Sequence, residues 1–360
     1  MRRALLALLA ISTPARADVP MDACSCSPNK PGFHRASALT GDWNHLRYDM
    51  AEKGVRITPT YAGELFAAPG LSDDKVVTAG LFALNVDVDF ATLVHDHLPA
   101  LHLSGFGIHG HGLSERLMDV YGVSNNVAQP GVRMFEAYVE QPIGEHIGIR
   151  AGLIAADQEF VLADHSTVLL NATFGILAMV SYDIGNPVYP VATPGVSAHY
   201  EREDVTFRAA LYDGDQHNEH GIPSRIGNEA FVIGEVDLLG TYKAGVWHHT
   251  ALGNGYFGIV DKQLDGHVGA FARVSLAPHA QMPFYADTGI RIGPGPLRPR
   301  DFMSLGLACA RTPVGTQTAV EASYQYLVKG WLTVQPDLQL LLTREHPSAV
   351  IGAVRVVVAL

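Results

Sequence analysis

The sequence has little of what a soluble multidomain protein usually contains. Only 17% of its 360 residues are charged, whereas soluble proteins carry about 25% charged residues. Lysines are few, and 36 glycines punctuate the chain. No low-complexity linker follows the first ~40 residues. These features argue against a string of soluble domains and favour one large unit broken by turns.

Cysteine is also scarce, with three residues in the whole chain. Cys24 and Cys26 are separated by one residue near the N-terminus, and Cys309 is remote from both. This spacing excludes the disulfide framework of a small secreted protein. The residues before Cys24 partly match a lipid-attachment site, but Asp22 suits that interpretation poorly.

Long apolar runs are absent, which excludes a helical membrane protein. The N-terminus instead places Arg2 and Arg3 before a short apolar run that ends at Ile11. Ala15-Arg16-Ala17 follows as a small-x-small cleavage pattern. We therefore predict a cleaved signal peptide over residues 1–17 and export from the cytoplasm.

Positive charge is in short supply. The 25 Lys and Arg residues are outnumbered by 36 Asp and Glu residues, which gives a formal net charge of −11. Removal of the N-terminal arginines makes the mature chain more acidic still. Because nucleic acid is polyanionic, we do not expect this protein to bind it.

Alternation between apolar and polar residues is what the sequence does contain. The stretch FALNVDVDF, residues 82–90, has Phe, Leu and Val at even positions and Asn85, Asp87 and Asp89 at odd positions. A period of two produces a strand with one apolar face and one polar face. The pattern recurs, between turn signals such as Asp213-Gly214, to the end of the chain.

Such strands can close in two ways. In a soluble sandwich or barrel the apolar faces turn inward. In a transmembrane barrel they meet lipid, and the polar faces line a water-filled lumen. The scarcity of lysine on the polar faces favours the transmembrane barrel. We predict an all-β fold, a transmembrane antiparallel β-barrel of about 16 strands of ~9–11 residues each.

One helix is predicted before the first strand. Residues 39–54 contain Asp42 as a candidate cap and Gly54 as a stop signal. We therefore divide the mature chain into a periplasmic segment with a short helix, residues 18–54, and the barrel, residues 55–360.

Several segments occur in a characteristic order along the chain. They are LTGDWNHLRYDMAEKGV, AGLIAADQEFVLADHSTVLLNATFG, NPVYPVATPGV, IGEV followed by TYKAGVWHHT, and WLTVQPDLQL. Together they resemble the carbohydrate-selective porin family, the OprB-type porins of Gram-negative outer membranes. The resemblance extends from about Leu39 to the C-terminus.

This resemblance implies a 16-stranded outer-membrane barrel that passes monosaccharides, glucose foremost, by facilitated diffusion. It implies no enzymatic activity and no cofactor. The expected partners are small sugars, outer-membrane lipid and the outer-membrane barrel assembly machinery. The sequence leaves the oligomeric state open, with a homo-oligomer among the alternatives.

A sugar channel needs groups that replace water on the sugar hydroxyls and release them again. Charged side chains suit this role because their hydrogen bonds are strong and directional. We expect the polar-face charges to line the pore and contact sugar: Asp87, Asp89, Glu136, Glu140, Arg150, Arg208, Glu235, Asp237, Arg273, Asp287, Arg291 and Glu321. For each of them, the alternative is a wall residue without sugar contact.

The segment from Ala155 to Gly175 breaks the alternation of the strands. We predict that it folds toward the lumen and narrows it. Asp157, Glu159 and Asp164 are then candidates for the rim of the constriction. The alternative is a plain external loop.

Two aromatic residues, Tyr212 and Trp247, fall on polar faces of their strands. There they could stack on the apolar face of a pyranose ring. The competing role is an aromatic girdle at the membrane interface.

The 17 histidines do not form a metal-site pattern. His248 and His249 point to opposite faces of one strand, so they cannot easily share an ion. The pairs that involve His97, His111 and His217 lack accompanying cysteines. We predict no metal site.

Two other classes of function stay open. A barrel-type outer-membrane hydrolase would need a serine and a histidine that converge, but no Gly-x-Ser-x-Gly elbow is present. A barrel exporter or scaffold of a polysaccharide system would need a wider lumen, or a periplasmic partner contact through residues 18–38.

Overall fold

The computed structural model describes residues 38–69, 76–94, 97–176, 180–215, 226–293, 298, 300–313, 315–344 and 348–360. The predicted signal peptide, Cys24, Cys26 and the histidines at 95, 217 and 220 lie outside these residues.

Within this part of the chain, sixteen strands form one closed antiparallel barrel, in which consecutive strands pair and β1 also pairs with β16. The first eight strands are β1 Val55–Ala67, β2 Val76–Asp89, β3 Ala100–Gly110, β4 Gly131–Ile143, β5 Ile147–Ile154, β6 Thr193–Arg202, β7 Val205–Asp213 and β8 Ala230–Leu238. The others are β9 Tyr242–His249, β10 Gly253–Gln263, β11 Val268–Leu276, β12 Phe284–Ile292, β13 Phe302–Thr312, β14 Gly315–Lys329, β15 Leu332–Thr343 and β16 Ala349–Ala359. The predicted fold class is confirmed.

Helical structure is limited to short segments. The described residues contain the α-helices α1 Leu46–Glu52, α2 Phe90–Leu93 and α3 Ser114–Leu117. The helix α1 precedes the first strand, as the sequence predicted. No helix in this part of the chain is long and apolar enough to cross a membrane.

The two faces of the strands are separated as the alternation predicts. On β2, Phe82 and Leu84 point outward and remain 39% and 38% exposed, whereas Asn85 points inward and is 7% exposed. Phe207 and Leu211 on β7 are also exposed on the outside. The barrel therefore presents an apolar outer surface, which is what a lipid environment requires.

The two ends of the barrel differ. β1 starts and β16 ends at the same end, which we call the terminal rim, and the connections there are mostly short. The opposite rim carries the two longest connections, residues 111–130 and residues 155–192. We call them the short insert and the long insert.

The described residues of both inserts fold into the barrel. The long insert contributes short 3₁₀ and π-helical turns, and its Phe160, Leu169 and Phe174 are fully buried. They belong to one apolar cluster with inward-facing wall residues, among them Phe231 and Phe271. Burial of this apolar surface stabilises the inserts inside the lumen. The segment 155–175 thus lies inside the barrel, and not outside as a plain loop.

Candidate functional site

Buried carboxylates on the inner wall hold the long insert in place. Each accepts backbone N–H groups of the insert, with these nitrogen–oxygen distances: Ala155 to Glu136 3.0 Å, Val161 to Glu235 2.9 Å, His165 to Asp261 3.4 Å, and Leu170 and Asn171 to Glu321 2.5 Å and 3.0 Å. An irregular segment cannot satisfy these amides in a sheet, and a carboxylate is a strong acceptor. The carboxylates stand on β4, β8, β10 and β14, so the insert crosses the lumen from one wall to another.

Donors on the wall hold the carbonyl groups of the same insert. The bonds are Lys243 Nζ to Leu162 O 2.9 Å, Arg273 Nη1 to Gly175 O 2.6 Å, Arg273 Nη2 to Thr173 O 2.9 Å, and Gln335 Nε2 to Val168 O 2.5 Å. Arg273 also pairs with Asp287, with 3.0 Å between Nε and Oδ1, and both side chains are fully buried. Because a buried arginine is costly unless its donors are occupied, this pairing fits an anchor and not a sugar ligand.

The short insert has its own anchor at Glu64. The Glu64 carboxylate accepts from Ser124 Oγ at 2.7 Å and from Asn126 Nδ2 at 3.1 Å. It also pairs with Arg355, whose Nη2 donates to Asn125 Oδ1 at 2.6 Å. Wall and insert are therefore joined by one buried polar network at this point.

Sequence reasoning missed Glu64, Asp261 and Arg355 as site residues. A usable signal existed for Arg355, since a single charge within the apolar strand AVIGAVRVVVAL is costly unless it faces the lumen. Asp261 and Glu64 also lie on the polar faces of their strands. Their partners could not be read from the sequence.

One group of inward-facing charges around Arg150 keeps part of its surface exposed. Arg150 Nε lies 2.9 Å from Glu140 Oε2, and Arg150 Nη1 lies 3.9 Å from Glu159 Oε2. The Arg150 and Glu140 side chains each remain 16% exposed. The guanidinium also lies over the Tyr138 ring, 5.4 Å from its centroid. We call Glu140, Arg150 and Glu159 the Arg150 group.

A second group is centred on Arg208. Arg208 Nη1 lies 3.2 Å from Glu235 Oε1 and 3.6 Å from Asp237 Oδ2, and Lys243 Nζ lies 3.9 Å from the same Asp237 oxygen. The Arg208 side chain is 23% exposed, whereas that of Glu235 is 1% exposed. We call Arg208, Asp237 and Lys243 the Arg208 group, with Glu235 behind it in the wall.

The two aspartates of β2 have different roles. Asp87 Oδ1 lies 2.7 Å from His102 Nδ1, and His102 Nε2 lies 3.8 Å from Glu136 Oε2. Asp87 is one-third exposed and faces the lumen. Asp89 instead caps α2, since it accepts the backbone N–H groups of Ala91 and Thr92. Asp89 is therefore occupied as a helix cap and is not a free lumen group.

The remaining candidates are spread along the long insert and its contact with β12. Asp157 is buried and accepts the Tyr189 N–H at 2.9 Å, and burial raises the pKa of its carboxyl group to about 6. Arg291 donates from Nη1 to the Asp164 carbonyl at 3.5 Å and lies over the Phe302 ring. Asp157 thus joins two parts of the long insert, and Arg291 joins the insert to the wall. Arg291 remains partly exposed.

Tyr212 and Trp247 point inward as the alternation predicts, but each is only 2% exposed. Tyr212 stacks on Phe231 with 5.8 Å between ring centroids, and Trp247 packs against the same ring. The apolar cluster shared with the inserts covers both side chains. A passing sugar cannot reach them, so the expectation that they stack on a pyranose has to be corrected.

Histidines do not gather into a metal site in the described residues. No group of three or more His, Cys, Asp or Glu side chains there is arranged to hold a metal ion. His248 is exposed and His249 is buried, so the two do point to opposite faces of β9. His165 is bound to Asp261 and Gln263, at 2.5 Å and 2.9 Å.

The comparison with protein families decides what this barrel is. A family model for the carbohydrate-selective porins, the OprB family, matches residues 73–291, which is more than half of the chain. The chain belongs to this family. It is a carbohydrate porin of the outer membrane, a channel and not an enzyme. The family resemblance noted in the sequence is thereby confirmed.

Solved structures support the fold of this porin. OprB of Pseudomonas putida, in its high-pH structure, matches with a TM-score of 0.81 and 17% identity, and the match covers 90% of this chain and 99% of that chain. The low-pH structure of the same protein matches with a TM-score of 0.64 at the same identity, over 90% and 98% of the two chains. A triple mutant of Rhodopseudomonas blastica porin matches with a TM-score of 0.52 and 10% identity, over 85% and 100%. No curated protein sequence matches the chain.

Proposed function

We propose that this porin passes monosaccharides of the glucose type through the open part of its lumen, past the Arg150 group and the Arg208 group. One observation carries the proposal. Most buried wall charges bind the inserts, whereas Arg150 and Arg208 keep part of their surface free while carboxylates fix their position. These two arginines are the groups best placed to meet a solute.

The chemistry of the two groups suits an uncharged polyol. A guanidinium donates hydrogen bonds in a fixed fork, and a carboxylate accepts hydrogen bonds. One sugar hydroxyl can therefore accept from the arginine while its neighbour donates to the carboxylate. Because each cation is paired with acids, the groups offer little net charge to hold an ion. Binding that is shared among several weak contacts allows release and therefore conduction.

The packing of the lumen supports a small substrate. Two inserts lie inside the barrel and share an apolar cluster with the wall. A polysaccharide exporter would need a wide lumen, and the described residues contain no sign of one. Loops folded into a barrel instead restrict its width, which selects solutes by size.

The membrane contacts of the porin form the second part of the proposal. Outer-membrane lipid contacts the exposed apolar outer face, which includes Phe207, Leu211 and Val246. The chain reaches the membrane through the predicted signal peptide and the barrel assembly machinery. Any homo-oligomer would form through the same outer face, at the expense of lipid contact.

Single-channel conductance of the refolded porin with glucose titrated in tests the function. Glucose that enters the lumen should reduce the ion current with a half-blocking concentration in the millimolar range. The variants Arg150→Ala and Arg208→Ala should each raise that concentration. Arg202→Ala, an exposed arginine near the end of β6, is the matched control and should leave it unchanged. A current indifferent to glucose but reduced by other solutes would refute glucose-type selectivity.

A further inference from the structure

The long insert contains a turn that the wall holds in a disfavoured conformation. Val161 has φ of 58°, in the left-handed region that β-branched residues rarely adopt. Its N–H donates to Glu235 Oε2 at 2.9 Å, and its carbonyl accepts from Arg273 Nη1 at 3.3 Å. A strained residue persists only where its surroundings determine it, and here two charged groups do so.

The contacts around this turn form a closed ring with the Arg208 group. From Val161 the ring passes to Glu235, then to Arg208, to Asp237 and to Lys243. Lys243 completes it by donating to the carbonyl of Leu162, the residue after Val161. The two oxygens of Glu235 have separate tasks, since Oε2 accepts the insert amide and Oε1 faces Arg208.

We infer that Glu235 is a positioning residue that couples the turn of the long insert to the lumen position of Arg208. Glu235 does not touch solute, because its side chain is 1% exposed. It acts by holding Arg208 from behind, while the insert amide holds Glu235. A displacement of the Val161 turn would move the carboxylate and, through it, the guanidinium in the lumen.

This arrangement gives the insert control over the charge that the solute meets. A lumen lined by free charges would have a selectivity set by each charge alone. In this porin the direction of the Arg208 guanidinium depends on a residue that also carries the insert. The inference rests on the proposed function where it is tested by glucose block. The measurement of ion selectivity does not depend on that function.

The test is a double-mutant cycle with Glu235→Gln and Arg208→Gln. In Glu235→Gln the amide oxygen can still accept the Val161 N–H, but its NH₂ group meets the Arg208 donors and repels them. We expect the reversal potential in a KCl gradient to shift toward anions. The half-blocking glucose concentration should change by roughly three- to tenfold, the size expected when a charge-assisted hydrogen bond is lost at a partly exposed site.

The Arg208→Gln background shows whether Glu235 and Arg208 are coupled. If Glu235 acts through Arg208, then Glu235→Gln on the Arg208→Gln background leaves the half-blocking glucose concentration unchanged. It shifts the reversal potential only by the effect of the lost carboxylate charge, which is less than the shift in the wild-type background. Equal shifts in both backgrounds, or no shift in the single variant, would overturn the inference. If glucose leaves the wild-type current unchanged, the proposed function fails, while the reversal potentials still decide the coupling.

Two further variants separate positioning from loss of structure. Glu321→Gln is the matched control, because Glu321 also holds insert amides but has no ion-pair partner facing the lumen in the described residues. Its effect should be the same with and without Arg208. Glu235→Asp keeps the charge but shortens the reach, so it should assemble and give a smaller shift. An Asp variant that assembles with wild-type selectivity would count against the inference.

Discussion

Glu64 on β1 and Arg355 on β16 form a buried ion pair across the seam that closes the barrel, with 2.5 Å between Oε1 and Nε. The two residues stand directly opposite each other in the strand register. The same carboxylate anchors Ser124 and Asn126 of the short insert. One ion pair thus links the seam of the barrel to the short insert.

The first prediction concerns this pair. Arg355→Met leaves the Glu64 carboxylate buried without its cation, which costs about 3–5 kcal/mol in comparable cases. We expect a lower urea midpoint for the refolded barrel in detergent. Arg311→Met, at an exposed position on the outside of β13, serves as control and should cost much less. An unchanged midpoint for Arg355→Met would mean that the pair contributes nothing to closure.

The second prediction tests the two faces of β2. Leu84→Arg puts a charge on the apolar outer face, where it costs roughly 2–4 kcal/mol near the midplane of a bilayer. We expect the variant to assemble poorly into lipid vesicles. Asp87→Asn, on the lumen face of the same strand, should assemble normally and change only conductance or ion preference. Equal assembly of both variants would contradict the assignment of the faces.

The third prediction concerns pH and two carboxyl groups of the long insert. Burial raises the pKa values of Asp157 and Asp183 to about 6, above the usual 3.8. The folded insert therefore binds these protons more tightly, and its stability falls as pH rises from about 4 to about 6, by at most about 3 kcal/mol per group. Hydrogen exchange of the insert amides should accelerate over this range. Asp157→Asn and Asp183→Asn should each weaken that dependence.

The fourth prediction concerns His165 at the contact between the long insert and β10. Gln263 donates to the Asp265 carbonyl, so its Oε1 faces His165 Nε2 as an acceptor, while Asp261 accepts at Nδ1. The hydrogen bond to Asp261 raises the pKa of His165 above 6.5, although burial and Arg291 oppose it. The stabilisation is present below pH 6.5 and is lost as pH rises through the higher folded pKa.

We expect hydrogen-exchange protection at residues 164–166 to fall as pH rises above neutrality, once intrinsic exchange rates are corrected for pH. His165→Gln should remove this dependence and leave the acid-range effect of Asp157 and Asp183 in place. Identical profiles for the wild type and His165→Gln would show that the imidazole does not hold the insert.

The fifth prediction tests the role of Trp247. Its indole lies against Gly255, where an added Cβ would come within 2.2 Å of the ring. Because Trp247 is fully packed, Trp247→Ala should destabilise the barrel by about 3–5 kcal/mol. Trp247→Phe should lose much less stability, and its half-blocking glucose concentration should equal that of the wild type. A sugar affinity that falls in the Phe variant would restore Trp247 as a stacking residue.

The faces of the strands could be predicted from the sequence because alternation is a local property. Side chains at the odd positions of β2 share one face because successive Cβ atoms alternate across a strand, and in a transmembrane barrel the polar face is the one that lines the lumen. Asn85, Arg150 and Glu321 were assigned to the lumen in this way, and so were Tyr212 and Trp247. The break in alternation at 155–175 likewise marked the long insert.

What each inward residue touches was decided by the tertiary structure alone. Glu136 and Glu235 share the alternation and charge of Glu140, but the insert brings amides to the first two and leaves the third beside Arg150. Those amides belong to irregular backbone. Its path could not be predicted because the insert has no periodic sequence pattern. The sequence therefore determined a barrel with a charged interior, and the fold of the two inserts determined which charges remained for the solute.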